Sequence, residues 1–332
     1  MLTITKKNTL LILAVKIVLL IVPVLILLAG LFVVLPRNPT SYYHGFRIKD
    51  DLLRAARSPK IILVGGSNLA FGINSDELSH EFGVNVVNTA LHASLGLSFM
   101  LNSTEWYIHT GDVVIIAFEY GHYIREPRGD SVLCELLLEE PMALKYLDYE
   151  HLPTVVEGLG RVCEQRLARC AHRLPFGRDE IYHSEAFNQY GDVVSHLDKQ
   201  PEHVDPVDVP WKSVTINSAV LGRLAQFISQ AEKRGARVYI FPPCFRKQDY
   251  EVNAQDVENI YQTVNNTFPK QAVATPQEFI FDKNNYCFDT NYHLNKKGRE
   301  IRTAKMLEYL RAASVRDGWA LNKRTLPNVP LM

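Results

Sequence analysis

The sequence predicts an α/β protein built on a doubly wound parallel sheet and preceded by a membrane-crossing helix. Three observations carry this expectation. Lys60 is followed by four apolar residues, Ile61 to Val64, and then by Gly65 and Gly66, the pattern of a strand buried on both faces that ends in a tight turn. Val113 to Glu119 is a second such run, set off by the turn residues Gly111 and Asp112, with helical patterns between the two. Between Ile17 and Pro36 there is no charged residue, and ~20 apolar residues are what a helix needs to cross a hydrocarbon core.

The apolar run sets the first boundary, with 1–36 as a cytoplasmic stub and anchor. A cleaved signal peptide has a shorter apolar core, ~7–15 residues, so an uncleaved anchor is expected. Pro23 and Gly30 inside it are tolerated in transmembrane helices. Lys6, Lys7 and Lys16 favour a cytoplasmic amino terminus, which places the main domain in the periplasm or at the cell surface. Arg37, Arg47 and Lys49 on the far side weaken that contrast. Residues 37–59 read as a linker and a lead-in helix, Asp50 to Arg57.

The main domain spans 60–313. After the first strand, Asn74 or Ser75 caps a helix with acidic residues in its first turn. A second strand covers Val84 to Asn88, a helix follows from Leu97 to Thr110, and the third strand begins at Val113. The sheet is then interrupted by a helical insertion at about 123–212, which either shapes a substrate groove at the carboxyl edge or only packs there. An amphipathic helix from Ser218 to Arg234, ended by Gly235, leads to a fourth strand at Ala236 to Phe241. Asn295 caps a last helix running to Ala313, and 314–332 reads as a loose tail.

Lysines and arginines equal aspartates and glutamates, 36 of each, which argues against a nucleic-acid partner. The five cysteines show no C-x-x-C spacing, so no structural metal is expected, and no cofactor motif appears. Cys163 and Cys170 are the nearest pair, but seven helical residues separate them by ~10 Å, too far for a disulfide. His92 and His122 follow predicted strands, and with His293 they would have to converge to hold a metal.

The chemistry lies in two blocks. Gly65-Gly66-Ser67-Asn68 places a serine at the carboxyl edge of the sheet, where ligands collect in open α/β folds. Asp289-Thr290-Asn291-Tyr292-His293 puts a carboxylate and an imidazole in one segment just before the last helix. A serine nucleophile needs a base, and the base needs a group that fixes its tautomer. Ser67, His293 and Asp289 supply the three, with Asp282 and Asn291 as alternative orienters.

These blocks resemble the SGNH (GDSL-like) hydrolase and acyltransferase superfamily, closest to membrane-anchored branches such as the D-alanyl-lipoteichoic-acid transfer and alginate O-acetylation proteins. The resemblance implies a three-layer, flavodoxin-like sheet and a Ser67–His293–Asp289 triad without a cofactor. It implies acyl transfer or ester hydrolysis, acetyl first among the acyl groups, on a cell-surface or exported glycan. Implied partners are the bilayer and a multi-pass membrane acyltransferase. Oxyanion donors and substrate contacts are expected from Gly66, Asn68, Ala93 or Gly96, and Tyr120. Two departures stand out: the Asp–His spacing is one residue longer than usual, and Glu119 stands where an asparagine donor is usual. A non-catalytic protein that binds glycan or scaffolds an acyltransferase is the alternative.

Overall fold

The computed structural model describes residues 9, 11–20, 22–23, 30, 36–172, 174–201, 204–211 and 214–319. At its centre is a four-stranded parallel sheet made of β1 (Lys60–Gly65), β2 (Asn85–Asn88), β3 (Val113–Ala117) and β4 (Arg237–Ile240), in the order β2-β1-β3-β4. From β1 the chain steps one way to β2, then back across β1 to β3 and onward to β4. Right-handed crossovers therefore put the connecting helices on opposite faces. Ile61 to Val64 and Val113 to Ala117 are wholly buried, which explains why these strands read as continuous apolar runs. The reversal of direction leaves a crevice between the carboxyl ends of β1 and β3, the place where open α/β sheets bind ligands.

Register at the opposite end is locked by a buried ion pair. The Asp112 carboxylate accepts from the Lys60 N–H at 3.0 Å, from Lys60 Nζ at 2.9 Å and from the His109 N–H at 2.9 Å. Asp112→Ala removes all three hydrogen bonds and leaves the buried Lys60 ammonium with only Ser58 Oγ, so a loss of ~3–5 kcal/mol is expected in urea unfolding. A loss within experimental error would exclude this lock.

Helices α1 (Gly45–Ala55), α2 (Ser67–Gly72), α3 (Ser75–Phe82) and α4 (Leu97–Glu105) surround the first half of the sheet. The insertion contributes α5 (Ser131–Glu139) and the longer α6 (Leu152–Ala171), then an irregular segment that returns to the sheet. That return is stitched in by Asp192, which accepts from the Ser75 N–H at 2.9 Å, Asn88 Nδ2 at 2.8 Å and Arg299 Nη2 at 2.9 Å. Lys49 helps from the other side, donating to the Asn88 carbonyl at 3.0 Å and to the Gly191 carbonyl. Burial pushes its ammonium pKa down to about 7.

Beyond α7 (Ser218–Lys233) and β4, the structure holds elements that local pattern did not announce. A short parallel pair, β5 (Phe245–Arg246) and β6 (Ile280–Phe281), brackets the long α8 (Lys247–Thr267). The one-turn α9 (Lys283–Tyr286) precedes α10 (Lys296–Arg316), whose cap Asn295 accepts from the Gly298 N–H at 3.0 Å. Trp319, expected in a loose tail, is buried and donates from Nε1 to Tyr239 Oη at 2.6 Å. The rest of that tail, 320–332, lies outside the described residues.

The expected membrane-crossing helix requires correction. Among the described residues no helix is long and apolar enough to cross a membrane. The described helical stretch 11–20 spans ~15 Å at 1.5 Å per residue, half of a ~30 Å hydrocarbon core, and much of Ile17 to Pro36 lies outside the described residues. The single-pass placement, with a cytoplasmic amino terminus and the main domain outside, rested on that helix and is withdrawn with it.

Candidate active site

β1 ends at Gly65, and the chain turns through Gly66 directly into α2, so that Ser67 is the first residue of that helix. Asn68 holds the turn in place. Its N–H donates to Glu119 Oε1 at 3.0 Å, and its amide Nδ2 donates to the Ala117 carbonyl at 2.8 Å. Its carbonyl and side-chain oxygens accept from Arg302 Nη1 at 2.6 Å and Nη2 at 2.8 Å. Asn68 is wholly buried and each of its polar atoms already has a partner, so it is not free for the donor role expected of it: it is a strut beneath Ser67. Gly66 is needed for close approach, because a Cβ there would lie 2.4 Å from the Glu119 carboxylate.

His293 and Asp289 lie on the loop before α10. The loop is tied back on itself by the Phe288 N–H donating to the His293 carbonyl at 2.8 Å. His293 Nδ1 lies 2.7 Å from Asp289 Oδ1, so the longer spacing still closes the pair. The other carboxylate oxygen, Oδ2, accepts from Tyr182 Oη at 2.5 Å, and the Asp205 N–H donates to the Asp289 backbone carbonyl at 2.7 Å. Burial by itself raises the Asp289 pKa, but the hydrogen bond and charge of His293, with the Tyr182 bond, outweigh it and hold the carboxyl below its ordinary range. Burial, then the Asp289 charge, raises the Tyr182 phenol, which therefore stays a donor.

The His293 ring stacks on Phe71, with centroids 4.1 Å apart and planes at 4°. Phe71 is one turn after Ser67 on α2, so Ser67 and the His293 ring rest on one short helix. His293 Nε2 has no hydrogen-bond partner among the described residues, nor is it sealed from solvent. It opens into a cavity of about 1410 Å³ that Ser67, His92, Ala93, Gly96, Tyr182 and His293 help to line. Ser67 Oγ forms no hydrogen bond with His293 or any other described residue. In apo sites catalytic hydrogen bonds are often long and tighten only in the substrate complex.

Beneath His293 lies His196, wholly buried, with Nε2 3.0 Å from the Leu294 carbonyl and Nδ1 unpartnered. Burial first, and the neighbouring His293 second, push its pKa down to about 3 from the ordinary 6.5. Between these values the unfolded chain binds a proton that the folded protein refuses. Stability from this group is therefore complete above about pH 6.5 and lost as pH falls toward about 3. His196→Gln keeps an N–H near the position of Nε2 for the Leu294 carbonyl and removes the titration, so its urea midpoint should fall less steeply with acid than that of the wild type. Parallel pH profiles would show that His196 does not drive the loss.

The remaining expected site residues separate. The Gly96 N–H is taken by the Ala93 carbonyl at 3.2 Å, whereas the N–H groups of Ala93 and Ser67 meet no acceptor among the described residues. Ala93, not Gly96, is thus the open backbone donor. Tyr120 does not reach the cavity: it is buried against Phe245, its hydroxyl has no partner, and it lines a small separate pocket. Glu119, which does line the cavity, accepts the Asn68 N–H through Oε1. Its Oε2 lies 3.3 Å from His122 Nδ1 without hydrogen-bond geometry.

Tyr182 escaped sequence reasoning because it sits in an insertion without periodic pattern, 107 residues from Asp289. The histidines are not gathered for a metal: among the described residues no group of three or more His, Cys, Asp or Glu side chains is placed to hold an ion. His122 is engaged at both ring nitrogens, Nε2 2.8 Å from the Ala93 carbonyl and Nδ1 3.2 Å from the Glu119 carbonyl. Compared with known proteins, the chain matches no family model and none of the curated sequences searched.

Proposed function

We propose that this protein transfers or hydrolyses an acyl group, acetyl first among the candidates, on an O-acylated carbohydrate through an acyl–Ser67 intermediate. The observation that carries the reading is the Asp289–His293 pair, whose unpartnered Nε2 opens into the cavity that Ser67 lines. Ser67 Oγ attacks the carbonyl carbon, its proton passes to His293 Nε2, and the carbonyl π pair moves onto oxygen. Collapse breaks the bond to the leaving alcohol, which takes the proton from His293. Water or a sugar hydroxyl then gives its proton to His293 as its oxygen attacks the acyl carbon, and the Ser67 oxygen leaves with that proton, which frees the acyl product and restores the serine. The Asp289 carboxylate stabilises the imidazolium of both halves.

A carbohydrate is favoured by the walls. Tyr43, Tyr182, Trp211 and Tyr292 face the cavity beside carboxylates and arginines, a mixture of flat apolar faces and hydrogen-bonding groups. Its volume of about 1410 Å³ exceeds the ~300–1,000 Å³ of small-molecule sites and suits an oligosaccharide. The resemblance to SGNH enzymes points the same way. A fluorophosphonate probe should label the full-length protein, with the modified peptide containing Ser67; failure to label at any pH would count against the nucleophile. One observation favours a second reading, a glycan-binding or acyltransferase-scaffolding protein without activity of its own: Ser67 Oγ does not engage His293 in this structure.

A further inference from the structure

We propose that the Nε2–H of His92 is a third hydrogen-bond donor to the oxyanion formed at Ser67. This rests on the acyl-transfer reading above. The need for such a donor follows from Glu119. Its carboxylate is acceptor-only when ionised and lies beside Gly66, so it offers the developing negative charge nothing and leaves the Ser67 and Ala93 amides as the backbone donors.

The tautomer of His92 is set by its neighbour. The Ser94 N–H donates to His92 Nδ1 at 3.1 Å, so Nδ1 carries no proton and the ring proton of the neutral imidazole is on Nε2. Burial, then the proximity of His293, lowers the His92 pKa below its ordinary value, which keeps the ring neutral at neutral pH. Nε2–H meets no acceptor among the described residues and is not sealed from solvent. His122 differs here, because both of its nitrogens are already engaged.

Register supplies the placement. Leu63 of β1 and Asn88 of β2 are partners on adjacent parallel strands, and Ser67 and His92 each follow their partner by the same number of residues. Both therefore leave the sheet at its carboxyl edge, and both line the cavity with His293. Ala93, the open backbone donor, is the next residue. His92 is not a base in this arrangement, since its unprotonated nitrogen is occupied by Ser94.

The test uses the full-length protein and a chromogenic acetyl ester. His92→Phe should lower kcat by ~10²–10³-fold with KM nearly unchanged, the signature of a donor used only in the transition state. His92→Gln, which presents both an acceptor for Ser94 and a donor, should recover most of that loss. A trifluoromethyl ketone, which forms a tetrahedral adduct on serine, should lose affinity for His92→Phe by a factor similar to the loss in kcat. Imidazole ¹⁵N NMR of the wild type should report His92 protonated on Nε2; protonation on Nδ1 overturns the assignment whatever the activity. If wild type is labelled at Ser67 and His92→Phe keeps wild-type kcat, this proposal fails alone. If wild type forms no adduct and turns over no ester, the acyl-transfer reading fails and this proposal falls with it.

Discussion

Ser67→Ala is expected to reduce acetyl-ester turnover to background and to abolish fluorophosphonate labelling. In a triad the members act as a unit, and loss of the nucleophile or the base typically costs ~10⁴–10⁶-fold in kcat. His293→Ala should match Ser67→Ala within about tenfold, because without its base a serine hydroxyl is a poor nucleophile near neutral pH. The double variant should be no worse than either single one. The substitution is expected to be structurally mild: Ser67 Oγ has no hydrogen bond to lose, so the urea midpoint of Ser67→Ala should lie close to that of the wild type. A folded Ser67→Ala protein with wild-type turnover would leave the non-catalytic reading standing.

Asp289→Asn should lower kcat by ~10³–10⁴-fold, because an amide facing His293 Nδ1 either withdraws the acceptor or selects the wrong tautomer of the base. Two bonds converge on this carboxylate, from His293 at 2.7 Å and from Tyr182 at 2.5 Å. Tyr182→Phe removes the second bond together with the 3.2 Å contact of the same hydroxyl to His293 Nδ1, and should cost ~10-fold or less, with KM little changed, since Asp289 still positions the base. The ranking is the test. If Tyr182→Phe proves as damaging as Asp289→Asn, then the phenol acts on His293 or on substrate directly rather than through Asp289. If Asp289→Asn is harmless, His293 is oriented by another group and the pair seen here is structural.

The sheet was legible because its signal is local. Ile61 to Val64 and Val113 to Ala117 are buried on both faces, and such a strand is a continuous apolar run that any window along the chain detects. Ser67 was legible for a related reason, since two glycines directly after a buried strand mark a turn at the sheet edge. Asp289 and His293 lie four residues apart and meet at 2.7 Å, so their pairing is also a local event. By contrast, α8 carries a largely polar sequence from Lys247 to Thr267, and its place is set by contacts with distant segments: Asp208, Trp211 and Val214 donate backbone N–H groups to Asp249, Asn253 and Asp256.

What the sequence by itself determined is the α/β class, the positions of four strands, the strand-end place of Ser67 and the Asp289–His293 pair, because each depends on neighbours within a few residues. The tertiary structure alone decided which polar groups remain free to act. Asn68 looked available beside the nucleophile, yet Glu119, Ala117 and Arg302 consume its hydrogen bonds, and Arg302 is 234 residues away. Ala93 and Gly96 were equivalent until the Gly96 N–H was found on the Ala93 carbonyl. Tyr182, His92 and the separate pocket of Tyr120 belong to the same class of fact. A hydrogen bond satisfies its donor wherever in the chain the acceptor comes from, and residue order records only the partners that lie close in sequence.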